Sequence, residues 1–321
     1  MTDMRNNLRI SINGLSQVFP EGIPGGLAIH IYGPPKVGKS ILCYQLVYEL
    51  VTGGYGNALY IDTEAAFTNA FQPVWVKRFK ERFGKEITVE KVEVIKYARK
   101  RSDKREILKI FETVLNDLGI SYSKMDLEKA IEIFLKKIEI KAPKRENAVY
   151  VVEENDIIRL LSFLGIEAEL DMSKEKMEFK IKKVIDIDAS PLSKFIKEHN
   201  IKVVVVDSIG MVIKRLRSDL ASLPARAQAL NHFIGGLTAL TSHYSLVFIA
   251  TNHESKAPQG FHSYFFGGSP VGYGFKFSFY MSSNKEVRKL TLVRSPYHKD
   301  RAVEIELTLD EQGFREIKQD D

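Results

Sequence analysis

The sequence predicts an α/β fold with a central, largely parallel sheet flanked by helices, plus a small inserted α+β subdomain. Three observations carry this. Short apolar runs at 27–32, 58–62, 203–206 and 246–250 lack the alternation of half-exposed strands and suit strands covered on both faces. Helical patterns separate these runs, and strands alternating with helices give parallel pairing. Between 96 and 183 the pattern changes to charged amphipathic stretches that fit neither role.

Each element can be justified in order. Residues 14–26 are rich in Gly and Pro and read as a lead-in of turns. The strand at 27–32 is followed by a loop from Gly33 and a helix at 40–52, which Gly53 and Gly54 stop. A second strand covers 58–62. Amphipathic helices are expected at 103–118, 126–137 and 156–164, then a hairpin of 167–171 and 178–182. The chain therefore divides into a core of 1–95 and 184–321, interrupted by a subdomain at 96–183. In the second part of the core, four consecutive valines form the strand at 203–206. A helix over 225–242 places Ala227, Leu230, Phe233, Ile234, Leu237 and Leu240 on one stripe. The segments 290–294 and 303–309 read as strands around a turn.

Composition narrows the function. A chain of 321 residues, 44% hydrophobic and 27% charged, can bury a large core and is no disordered tail. A single cysteine, Cys43, makes no internal disulfide and fits a reducing compartment. No apolar stretch reaches the length of a membrane span, and the amino terminus carries no signal-peptide core. The expectation is a cytoplasmic protein without a membrane partner. Its net charge of +6 permits an anionic partner without naming one.

One motif names a ligand. Gly33-Pro34-Pro35-Lys36-Val37-Gly38-Lys39-Ser40 matches the Walker A phosphate loop in full, with a strand before it and a helix after it. Gly33 allows the turn off the strand, and Gly38 lets the backbone approach phosphates. The loop's N–H groups, continued by Ile41 in the helix's first turn, supply positive potential. Lys39 reaches the β and γ phosphates of ATP, and the Ser40 hydroxyl takes a place on Mg²⁺. Asp207 ends the valine strand at the sheet's carboxyl edge, where a Walker B aspartate holds the magnesium shell. Glu64 follows the strand ending at Asp62. It can orient or deprotonate the water that attacks the γ-phosphate, or be a solvated loop acid.

With these residues in place the chain resembles the RecA/RadA superfamily of P-loop ATPases, and most of all its archaeal RadB-type recombinase paralogues. The segments that carry the resemblance are GPPKVGKS at Gly33, ALYIDTEAAF at Ala58, VVVVDS at Val203, ARAQALNHF at Ala225, VFIATNHES at Val247, FFGGSP at Phe265 and RSPYHKD at Arg294. It implies a RecA-type core with Glu64 as the catalytic acid. It also implies a γ-phosphate sensor at Asn252 and His253, where the family usually carries Asn-Gln, and an aromatic at Phe71 that stacks on adenine. Two DNA loops follow from it. The first holds Lys214, Arg215 and Arg217, and the second holds Lys256, Phe261, Tyr264 and Phe265; cations neutralise phosphates and aromatics stack on bases. Arg294 and Lys299 would reach a neighbouring subunit's ATP in a head-to-tail homo-oligomer. The implied function is a DNA-stimulated ATPase in homologous recombination and repair, with single-stranded DNA and a main recombinase or other repair protein as partners. The alternative from the same superfamily is a KaiC-like regulatory ATPase that switches protein partners without touching DNA.

Overall fold

The structure, a computed structural model, describes residues 10–65, 72–96, 101–123, 126–127, 138–171, 177–214, 216, 222–255 and 264–317. In chain order, helix α1 (Leu15–Val18) precedes strand β1 (Leu27–Gly33), α2 (Lys39–Thr52), β2 (Asn57–Asp62), α3 (Gln72–Phe83) and β3 (Thr88–Lys91). Next come β4 (Glu93–Lys96), α4 (Arg101–Asp117), β5 (Ile138–Lys141), β6 (Ala148–Glu153) and α5 (Ile157–Phe163), then a hairpin of β7 (Ile166–Asp171) and β8 (Glu178–Val184). α6 (Pro191–Glu198), β9 (Ile201–Asp207), α7 (Ile209–Lys214), α8 (Leu223–His243) and β10 (Val247–Ser255) follow. The chain finishes with β11 (Tyr264–Phe265), α9 (Ser269–Gly274), β12 (Phe277–Asn284), β13 (Val287–Arg294), β14 (Glu304–Asp310) and β15 (Gly313–Glu316).

Two compact units result. The smaller spans Val92–Lys141. In it β4 and β5 pair antiparallel, and Leu127 is buried among Leu108, Leu115 and Tyr122.

The larger unit is built on one sheet in the order β15-β14-β13-β12-β1-β10-β9-β2-β6-β3. From β12 to β3 every pairing is parallel, while β13, β14 and β15 add an antiparallel edge. The valine strand shows why unbroken apolar runs occur here. Val203 and Val205 join the core that Leu42, Val47 and Val51 of α2 help build, and Val204 and Val206, on the opposite face, are equally buried. α8 packs on that other face against β1 and β10. Its buried stripe runs Ala225, Ala229, Leu230, Phe233, Ile234, Leu237 and Leu240, and Ala227, assigned to the stripe from sequence, is exposed.

The unit that separates is smaller than the 96–183 expected from sequence. Residues 142–183 belong to the larger body for two reasons. The run Ala148–Glu153 is a central strand, β6, pairing with β2 from Ala58↔Val149 to Asp62↔Glu153, and α5 with β8 packs on α8. Asp156 caps α5 by accepting from the Ile158 N–H at 2.9 Å. The helix expected at 126–137 falls almost wholly outside the described residues.

The parallel strands all end at one edge. There Gly33 pairs with His253 and Asp62 with Asp207, which brings the sequence's candidate residues together.

Candidate functional site

The loop after β1 is shaped by close approach. A Cβ on Gly33 would lie 2.0 Å from the Met281 carbonyl oxygen, so only glycine fits the turn. Gly38 has φ +103° and a Cβ there would lie 2.6 Å from Phe314 Cζ. Lys36 also adopts a left-handed conformation, φ 65°. These turns wrap the backbone into a loop capped by the start of α2, the geometry in which successive N–H groups face an anion. Lys39 is buried, and its Nζ donates to the Gly33 carbonyl at 3.1 Å and the Pro34 carbonyl at 2.7 Å. Burial lowers its pKa, and the negative charges of Asp207 and Glu64 work against that shift. A polyphosphate would supply the counter-charge this cation lacks, so the loop fits such a ligand.

Two acids face it. Asp207 Oδ2 accepts from Tyr60 Oη at 2.5 Å, and Oδ1 accepts from Thr251 Oγ1. A carboxylate has about four lone-pair positions, so these bonds aim the group without exhausting it. With the Ser40 hydroxyl it makes an all-oxygen donor set suited to magnesium. Glu64 sits one residue past Thr63, whose Oγ1 accepts from the Ser208 N–H at 2.8 Å and donates to the Ser208 carbonyl at 2.9 Å. This double bond clamps the end of β2 to the end of β9. Glu64 Oε1 accepts from Ser208 Oγ at 2.9 Å and lies 3.1 Å from His253 Nε2. The bond to His253 is the main reason its pKa is held below the usual carboxylate range; burial opposes it and Ser208 adds to it.

The neighbouring strand leads away from the phosphate loop. Asn252 is buried, with its Nδ2 donating to the Phe266 carbonyl at 2.6 Å. Phe266 lies between two cations, 5.9 Å from Lys214 Nζ and 5.8 Å from Arg226 Cζ. Phe265 is half-buried, its ring steeply inclined to those of His30 and Tyr32 at centroid distances of 5.1 and 5.3 Å.

A family model described as Rad51 matches residues 6–122, the part that holds the phosphate loop and Glu64. Over 132 residues the chain is 29% identical to DNA repair and recombination protein RadA of Cenarchaeum symbiosum (strain A), covering 39% of this chain and 32% of that protein. Over 71 residues it is 32% identical to DNA repair protein RAD51 homolog 2 of Arabidopsis thaliana, 21% of this chain and 19% of the relative. The chain thus matches a third or less of either relative's length. The crystal structure of the RadB recombinase aligns over 97% of this chain and 100% of its own, with a TM-score of 0.54 and 15% identity, a likeness of fold. Residues 6–122 thus resemble the Rad51 family, and the chain as a whole shares the fold of the RadB recombinase.

The other candidates fall into three groups. Lys214 is exposed at the end of α7 beside Phe266, and Tyr264 lies on β11 paired with Ser255 of β10. Phe71, Arg215, Arg217, Lys256 and Phe261 lie outside the described residues. Arg294 and Lys299 are exposed at the opposite edge of the sheet. Ser278 pairs with Arg294 and Ile29 with Phe277, four residues before Gly33 along β1, roughly 13 Å of strand at about 3.3 Å per residue. The Arg294 guanidinium donates to the Gly272 carbonyl. Sequence reasoning missed Tyr60, Thr251, Ser208 and Arg226. Only Arg226 carried a readable signal, as a cation on the apolar face of a helix; the others depend on which strands become neighbours.

Proposed function

We propose that this chain is a cytoplasmic ATP-binding protein and a DNA-stimulated ATPase, acting in homologous recombination and repair as a RadB-like paralogue or mediator. The observation that supports this best is the convergence of Lys39, Asp207 and Glu64 on one sheet edge beside a loop that only glycines can shape. Lys39 would exchange its two carbonyl partners for phosphate oxygens, and Ser40 and Asp207 would hold Mg²⁺, directly or through its water. Bound Mg²⁺ supplies positive charge that offsets charge on the β and γ phosphates. Glu64 would orient water and accept its proton. Lys214, beside Phe266, would meet the backbone of single-stranded DNA. Arg294 and Lys299, too far along the sheet to serve the chain's own loop, suit a neighbouring subunit's nucleotide in a homo-oligomer.

Thermal unfolding and ATP turnover, with and without single-stranded DNA, test this. Mg²⁺ and ATP should raise Tm in the wild type and not in Lys39→Ala. Glu64→Gln should keep the Tm rise and lose turnover about 100-fold or more, the usual weight of a general base. An unchanged Tm in the wild type would sink the reading. A second reading, a KaiC-like ATPase that switches protein partners, draws on the separate Val92–Lys141 unit, whose α4 exposes Ile110, Phe111 and Val114. Turnover indifferent to DNA, with no oligonucleotide retained at low salt, would favour it.

A further inference from the structure

The carboxylate proposed to activate water is already held. Both of its donors, Ser208 Oγ and His253 Nε2, converge on the same atom, Glu64 Oε1. Glu64 follows β2, Ser208 follows β9 and His253 lies on β10, and these three strands are adjacent in the order β2-β9-β10. The Glu64–His253 contact therefore crosses above the end of β9. Gly210 of α7 leaves room for the Asn252 side chain next to it. A Cβ there would lie 3.0 Å from Asn252 Oδ1 and 3.6 Å from His253 Cδ2. The histidine backbone is fixed independently of its ring: its N–H donates to Asn252 Oδ1 at 2.8 Å, and its carbonyl accepts from the Phe266 N–H at 3.0 Å. The ring can change partner while the strand stays in place.

From this geometry we propose that His253 is a positioning residue that locks Glu64 in the nucleotide-free protein, and that a terminal phosphate releases the lock by competing for the same Nε2–H. The proposal rests on the reading of the site as an ATPase and adds a regulatory step to it. A neutral imidazole donates from one nitrogen only, so the ring serves the carboxylate or the phosphate and not both. A carboxylate that loses one of its two donors becomes a better proton acceptor. Ser208, clamped to Thr63, keeps Oε1 oriented after release. Among the described residues Lys214 on α7 also acts on Glu64, and Glu64 in turn acts on Lys39 of α2.

Nitrogen-15 NMR of the histidine rings tests the lock directly, with the His253 signal assigned from His253→Gln. In nucleotide-free protein the Nε2 signal should differ between wild type and Glu64→Gln. In wild type alone, which needs no variant to fold, Mg²⁺ with the β,γ-imido analogue of ATP should move that signal and Mg²⁺ with ADP should not. Turnover without DNA should rise roughly threefold or more in His253→Ala. A bound ATP analogue, shown by a raised Tm, that leaves Nε2 where ADP leaves it would overturn the lock and spare the ATPase reading. If no nucleotide raises Tm, both fall together.

Discussion

His30 is the residue on which acid stability turns. It lies within β1 with its ring stacked on Tyr32 and Phe275 at centroid distances of 5.2 Å each, and neither ring nitrogen has a hydrogen-bond partner. Burial alone pulls its pKa from 6.5 down to about 3. The sign follows from the direction. The folded state binds this proton less well than the unfolded state, so the neutral ring's contribution is whole above pH 6.5 and is lost as pH falls from there towards 3. Each unit in that window costs up to about 1.4 kcal/mol. Tm measured from pH 7 to 4.5 should fall, and His30→Phe, which keeps an aromatic ring without the proton site, should flatten the fall. An equally steep fall in that variant would assign the acid sensitivity to other groups. Sequence reading placed His30 correctly inside a strand, but a ring between two aromatics is invisible until β1 and the segment after α9 are neighbours.

At the scale of elements, α2 is held to the far end of the chain. Gln45 Nε2 donates to Ser11 Oγ, to Glu49 Oε1 and to the Phe314 carbonyl, each at 3.1 Å, and its Oε1 accepts from the Phe314 N–H at 2.7 Å. Arg82 of α3 donates to the same Phe314 carbonyl at 2.8 Å and to the Gln312 carbonyl at 3.0 Å. Gly313 is required there, with φ +102° and room for a Cβ closed by Gln45 Oε1 at 2.6 Å. Gln45→Leu strands buried backbone groups of β15 and should cost about 2 kcal/mol or more, read as a lowered Tm. A change under half that size would mean that Arg82 and water satisfy β15 alone. This contrast explains what was legible. The strands at 27–32, 58–62, 203–206 and 246–250 emerged because a fully covered sheet writes itself as unbroken apolar runs. The phosphate loop emerged because its eight residues are contiguous. Gln45 did not, since its partner lies 269 residues away. β6 was overlooked because its apolar run lies inside a stretch dominated by charge.

Taken whole, the molecule combines a sheet-based body with a detachable unit. Val92–Lys141 clusters on its own, and the flanking strands β3 and β6 pair directly with each other, Thr88 with Ala148. Joining Lys91 to Ala142 through a short flexible linker should therefore leave a folded protein that Mg²⁺ and ATP still stabilise. An insoluble product would show that the unit is needed to close the sheet. The strand order carries a further consequence for synthesis. Among the described residues β1 is the first strand in chain order, yet it sits between β10 and β12, which begin only at Val247 and Phe277. On the ribosome, then, the segment bearing the phosphate loop waits with both edges open until residue 284 has emerged. A nascent chain stalled before residue 247 would need a chaperone to keep that strand from pairing with a stranger.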